Sequence, residues 1–129
     1  MTLITPDTSQ SADMSPIEPN TYPAKIASCD FQMSSKGNPM IVPTFVLTVD
    51  GKERTRKSYI VTDGAGAFNF DQLLRACNFT ELADTYKNPD VEHPPFDTDQ
   101  LVGQELMVVI ETQIYQGEKR DAIKTYLKA

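Results

Sequence analysis

The chain has 129 residues, 40% of them hydrophobic and 23% charged, with a formal net charge of −6 at pH 7. That length suits one globular domain able to bury roughly two thirds of its unfolded surface. No apolar run nears the ~18 residues that a membrane-spanning helix needs. The two cysteines, Cys29 and Cys77, lie far apart without spaced companions, which argues against a zinc site and for two buried thiols in a reducing cytoplasm.

Residues 1–20 are rich in Ser, Thr, Pro and Asp and read as a disordered acidic arm, not as a basic-then-apolar secretory leader. Residues 21–129 read as the folded domain. "TYPAKIASCD" sets Tyr22, Ala24 and Ile26 on one side and Lys25 on the other, the alternation of a half-buried strand. "SSKGNP" is loop chemistry. In "MIVPTFVLTVDGK", Ile41, Phe45, Leu47 and Val49 share a parity, and Pro43 argues for an edge or a bulge. Asp50-Gly51 is a hairpin signal, so 53–62, "ERTRKSYIVT", is the return strand. Alternation there puts Lys57 and Tyr59 on one face, with Arg56 and Ile60 on the other.

The helix signal follows. Asn69 with Gln72 fits a capping box, and Phe68 with Leu73 fits a hydrophobic staple. Phe70, Leu73, Leu74 and Cys77 make the buried stripe, and Asn78 offers a stop. Thr80–Tyr86 adds a short turn of helix before an irregular acidic loop, "KNPDVEHPPFDTDQ". "LVGQELMVVIETQIYQ" and "KRDAIKTYL" are the last two strands, with Gly117 at their turn. Three strands, a helix, then two strands is the chain order of a mainly β, five-stranded OB-fold barrel with one helix between strands three and four.

The acidity is segregated. Residues 78–105 hold seven carboxylates against Lys87, whereas 21–77 carry seven bases and five acids. Gly64 and Gly66 suggest a dinucleotide loop, but Asn69 stands where its third glycine belongs. His93 lies in the acidic loop without a nucleophile in a catalytic frame, and the carboxylates of 81–105 lack calcium-loop spacing. No enzyme, cofactor or metal site is expected.

The basic and aromatic residues carry more. Arg54, Arg56 and Lys57 lie on the third strand, Lys119 in the last turn, Arg120 and Lys124 on the last strand, and Lys25 and Lys36 on the first strand and its loop. Phe31, Tyr59, Tyr115 and Tyr126 are interleaved with them. In an OB barrel, strands two and three with the first and last hairpin loops form the ligand face. Single-stranded nucleic acid needs cations along the phosphates and exposed rings under the bases.

The order "TYPAKI", "SSKGNPMIVPTFVLTVDGK", "RKSYIV", "FNFDQLLRACNF", "LVGQELMVVI" and "RDAIKTYL" resembles a family of small phage proteins over residues 20 to 128. That family is similar to OB-fold single-stranded-DNA-binding proteins, and its members sit with replication and recombination genes. The resemblance implies phosphate contacts at Lys36 and at Arg56-Lys57. Two departures stand out: the chain has no Trp, and "TYLKA" is not the acidic tip by which cellular single-strand binders recruit partners. The expectation is a non-enzymatic protein in the host cytoplasm that coats single-stranded DNA, with RNA left open. Replication or recombination proteins are candidate partners, and a homo-oligomer is left open. The alternative is an OB-fold interaction module that docks a replication or virion protein.

Overall fold

Two tight hairpins and one long return connection build the sheet in the computed structural model, which describes residues 1–7 and 16–129. The strands are β1 (Asn20–Met33), β2 (Pro39–Val49), β3 (Lys52–Lys57), β4 (Ile60–Val61), β5 (Glu105–Tyr115) and β6 (Glu118–Lys128). Helices α1 (Phe68–Ala76) and α2 (Thr80–Lys87) fill the connection between β4 and β5. All pairings are antiparallel in the order β3-β2-β1-β5-β6, with β4 also on β2. A three-strand meander whose fourth long strand returns beside the first is a Greek key.

Asp50-Gly51 and Gln116-Gly117 turn with φ of 52° and 77°, and 52° and 79°, the left-handed pair that matches the twist of a two-residue hairpin. Pro43 lies on an interior strand and not on an edge, and the neighbouring β1 ladder carries a register shift between Ile26 and Ser28, one pair from Cys29 and Pro43. Thr44 pairs with Lys57, and Ile41 with Ile60, so β3 and β4 share one register along β2. The ladder breaks between them, opposite Pro43. Ser58 N–H donates to the Pro43 carbonyl at 3.1 Å, but Pro43 has no N–H to return. One predicted strand therefore becomes two.

The core lies between the inner sheet face and α1. Ile26, Phe45, Leu47, Leu106 and Val108 meet Leu73, Leu74, Phe70 and Cys77, the stripe read from the sequence. The helix start differs from its expectation. It begins one residue before Asn69, with Ala67 at the cap position and no side-chain cap bond. Phe68 is 60% exposed, so no staple forms, and Gln72 instead accepts a 2.9 Å bond from the Thr125 hydroxyl. The stop at Asn78 is as read: its φ is 67°, and Phe79 N–H reaches back to the Leu74 carbonyl at 2.8 Å. Arg75 forks between Asp71 on α1 and Asp84 on α2, tying the helices together.

The expected mainly β architecture is present, as an open six-stranded antiparallel sheet with two helices where a five-stranded barrel with one helix was expected. No backbone ladder joins the outer strands β3 and β6 among the described residues. Side chains bridge them instead. Arg56 donates through Nε and Nη2 to the two carboxylate oxygens of Asp121, at 2.9 Å each. Tyr126 stacks on Phe45 with centroids 5.5 Å apart, and its hydroxyl donates to Ser58 Oγ at 2.9 Å.

The expected arm also ends earlier than residue 20. Met1–Asp7 are exposed and carry no helix or strand, and residues 8–15 lie outside the described residues. Ile17, however, is 2% exposed within the core, and its N–H donates to Asp121 Oδ2 at 2.9 Å.

Hydrogen bonding from Arg56 holds the Asp121 carboxyl below its ordinary range, outweighing the burial that pushes it up. Its folded-state pKa thus lies below the unfolded value of about 3.9. The stabilisation is complete above that value and is lost as pH falls through the folded pKa. Asp121→Asn should therefore cost about 2 kcal/mol at pH 7 in chemical denaturation. The gap to wild type should shrink as pH drops below about 4.

Candidate nucleic-acid interface

The stretch from Lys52 to Val61 sorts its side chains by strand parity. Arg54 stands opposite Leu47, Arg56 opposite Phe45 and Ile60 opposite Ile41, so all three share the core side of the sheet. Lys57 and Tyr59 point the other way. Ile60 is buried and Tyr59 is 66% exposed, which is the outward register for the tyrosine.

On that outer face, Lys57 is level with Thr44 and Ser28, and Thr55 is level with Val46 and Lys25. Lys25 and Lys57 are thus two strands apart, roughly 10 Å across the sheet. Between and beside them lie Thr44, Thr48, Thr55 and the Tyr59 ring. The face is not uniformly basic: Glu105 stands level with Lys25, and Asp30 is exposed on the same side. Neither Lys25 nor Lys57 forms an ion pair among the described residues.

The other candidates fall elsewhere. Arg56 is committed to Asp121, and Arg54 lies near enough to lower the pKa of the same carboxyl. These two arginines belong to the seam between β3 and β6, not to the outer face. Tyr126 is 7% exposed, and burial raises its hydroxyl pKa; its ring is part of the core and not a stacking platform. Tyr115, Lys119 and Arg120 sit at the β5–β6 hairpin tip. There the Arg120 guanidinium lies 5.0 Å from the Tyr115 ring centroid and 3.7 Å from Glu118. Lys124 is the extra residue where the β6 register slips between Ile123 and Thr125. Lys36 caps the β1–β2 hairpin, in a turn closed by Ser34 and Asn38.

The register separates the tips. β5 runs antiparallel to β1 and passes its start, where Asn20 pairs with Ile110, so Tyr115 and Arg120 lie beyond that end. Phe31 and Lys36 lie at the other end, where Phe31 pairs with Ile41.

Sequence reasoning missed one feature. A cleft of about 780 Å³ opens between the β1–β2 hairpin, α1, α2 and the acidic loop, lined by Phe31, Phe68, Phe70, Tyr86, His93 and Phe96 among others. Phe70 meets Phe96 edge-on at 5.4 Å, and His93 meets Tyr86 at 5.7 Å. Tyr86 donates to the Pro94 carbonyl at 2.7 Å, and His93 Nε2 lies 2.7 Å from the Asn88 carbonyl. The signal was the placement of Phe68 off the α1 stripe, which the staple reading absorbed.

Cys29 and Cys77 are buried free thiols, each pushed up to about 11, chiefly by burial. Among the described residues no three His, Cys, Asp or Glu side chains converge as metal ligands, and no helix is long and apolar enough to cross a membrane. Comparison with protein-family models and with curated proteins finds no match.

The two tyrosines should separate in stability. Tyr126→Ala should cost about 3–5 kcal/mol, as for other buried aromatics. Tyr59→Ala should stay within about 0.5 kcal/mol of wild type, as for exposed sites. Urea denaturation of both variants checks this.

Proposed function

We propose that the protein binds single-stranded DNA with little sequence preference, through the outer face of β1, β2 and β3. The observation that carries the reading is the exposed Tyr59 ring beside Lys57, on the same sheet face as Lys25. Neither lysine is held by a carboxylate among the described residues, so both are available to phosphates. An aromatic ring stacks on any base, and an ammonium is a point charge that reads no base edge. Such a face favours strands whose bases are free, and discriminates weakly among sequences.

The topology supports an OB-type reading. The Greek-key order, with outer strands bridged by Arg56–Asp121 and Tyr126–Ser58, suits a partly open barrel. In that reading Lys57 and Tyr59 fall at the strand the fold uses for ligands. The net charge of −6 does not oppose it, because six of the carboxylates lie on α2 and in the connection from α2 to β5. On this reading, the resemblance to phage single-strand binders supports a role in replication or recombination within the host cytoplasm. The protein then works by coating, without catalysis or a cofactor.

Titration of labelled oligo-dT, the matching duplex and RNA at several salt concentrations tests the reading. Single-stranded DNA should bind more tightly than duplex. Tyr59→Ala should weaken it about ten-fold, within the ~1–3 kcal/mol of a stacked base, with the salt slope unchanged. Lys57→Ala should weaken it less and make the log–log salt slope shallower by about 0.7. Equal affinity for duplex, or a Tyr59→Ala variant that binds like wild type, would contradict this assignment.

A further inference from the structure

Among the described residues the tip of the β5–β6 hairpin pairs with no further strand. β5 continues five residues past its last pairing with β1, from Glu111 to Tyr115, and among those described residues only β6 pairs with it. Ile114 there is 73% exposed, Tyr115 is also exposed, and Lys119 sits level with Ile114. Lys119 forms no ion pair among the described residues. The tip thus sets two exposed apolar side chains among Glu118, Lys119 and Arg120.

The aromatic cleft is its complement. Phe31 and Phe68 are both largely exposed at its mouth, and Asp63 and Asp71 are among its lining. Lys87 lines it as well, but α2 and the loop around it belong to the segment 78–105, with seven carboxylates against that one lysine. A cleft of this size falls within the range that encloses bulky apolar groups, about 300–1,000 Å³.

The tip cannot fill the cleft of its own chain. Asn20 and Phe31 mark the two ends, eleven residues of strand and roughly 35 Å apart. The tip projects away from the Phe31 end. An occupant with the tip's chemistry must therefore come from another copy. The acidic N-terminal segment, with Asp7 and Glu18, has the wrong charge for this rim.

We infer that the β5–β6 hairpin tip of one copy docks into the Phe31–Phe68 cleft of the next, so that the chains join head to tail. Ile114 and Tyr115 supply the apolar insertion, and Lys119 meets the carboxylates of the rim. Such a contact uses two different patches, so it leaves one of each free at the ends and grows as a ring or a filament. On a polymeric ligand this contact would make binding cooperative along the strand.

Sedimentation velocity of the full chain without DNA tests the contact independently of the proposed function. Average mass should rise past a dimer between about 1 μM and 1 mM, the span of weak association. Ile114→Asp and Phe68→Asp should each be monomeric there. Mixed together, the two variants should form a 1:1 dimer and stop, since each keeps one intact patch. Both positions are exposed, and circular dichroism checks that the variants fold; Ile114→Ala and Phe68→Ala serve if either does not. A wild type that is monomeric throughout, a wild type that halts at a dimer, or a mixture that does not associate would each overturn the inference.

Discussion

The Asp121 carboxylate is the point on which three parts of the chain converge. It receives both forks of Arg56 from β3 and the Ile17 N–H from the N-terminal segment, while sitting on β6. Charge-assisted, two-pronged bonding of this kind fixes orientation as well as distance. It draws together two outer strands that share no ladder among the described residues. It also decides what the neighbouring residues do. With Arg56 directed to the core side, strand parity obliges Lys57 and Tyr59 to face outward. The same bond that holds the sheet's edges together presents the proposed DNA-binding pair.

The cations divide by chemistry. Arg56, Arg75 and Arg120 each lie against a carboxylate, and two of them fork or bridge. Lys25, Lys36, Lys57, Lys119 and Lys124 form no ion pair among the described residues. That is the division expected if planar guanidinium groups serve geometry and hydrated ammonium groups meet a mobile ligand. Six of the seven carboxylates of 78–105 lie on α2 and in the connection that follows it, whereas Glu105 stands level with Lys25 on the outer face.

Local chemistry was the legible part of the sequence. The Asp50-Gly51 hairpin, the Phe70–Leu73–Leu74–Cys77 stripe and the Asn78 stop each depend on residues within one turn or one strand, and each is present. What depended on partners distant in the chain was not legible. Ile17 fell within the stretch read as an acidic arm, and the partner of its N–H, Asp121, lies 104 positions away. Tyr126 shared a parity with Lys124, but the slip in β6 at Lys124 sets the two apart, and Phe45 takes the ring into the core. Arg56 looked like one more cation because its carboxylate lies on another strand. Phe68 followed a plausible capping pattern, yet the helix began two residues early and left the ring in the cleft mouth.

The central claim is that one face of one strand binds and the other face holds the sheet. Amide chemical shifts recorded while short oligo-dT is added to the full chain test it most directly. The account predicts the largest changes at Lys25, Thr44, Lys57 and Tyr59, with the Arg56 and Asp121 signals nearly still. Changes concentrated around Phe31, Phe68 and Tyr86 instead, with Lys57 and Tyr59 unmoved, would contradict it.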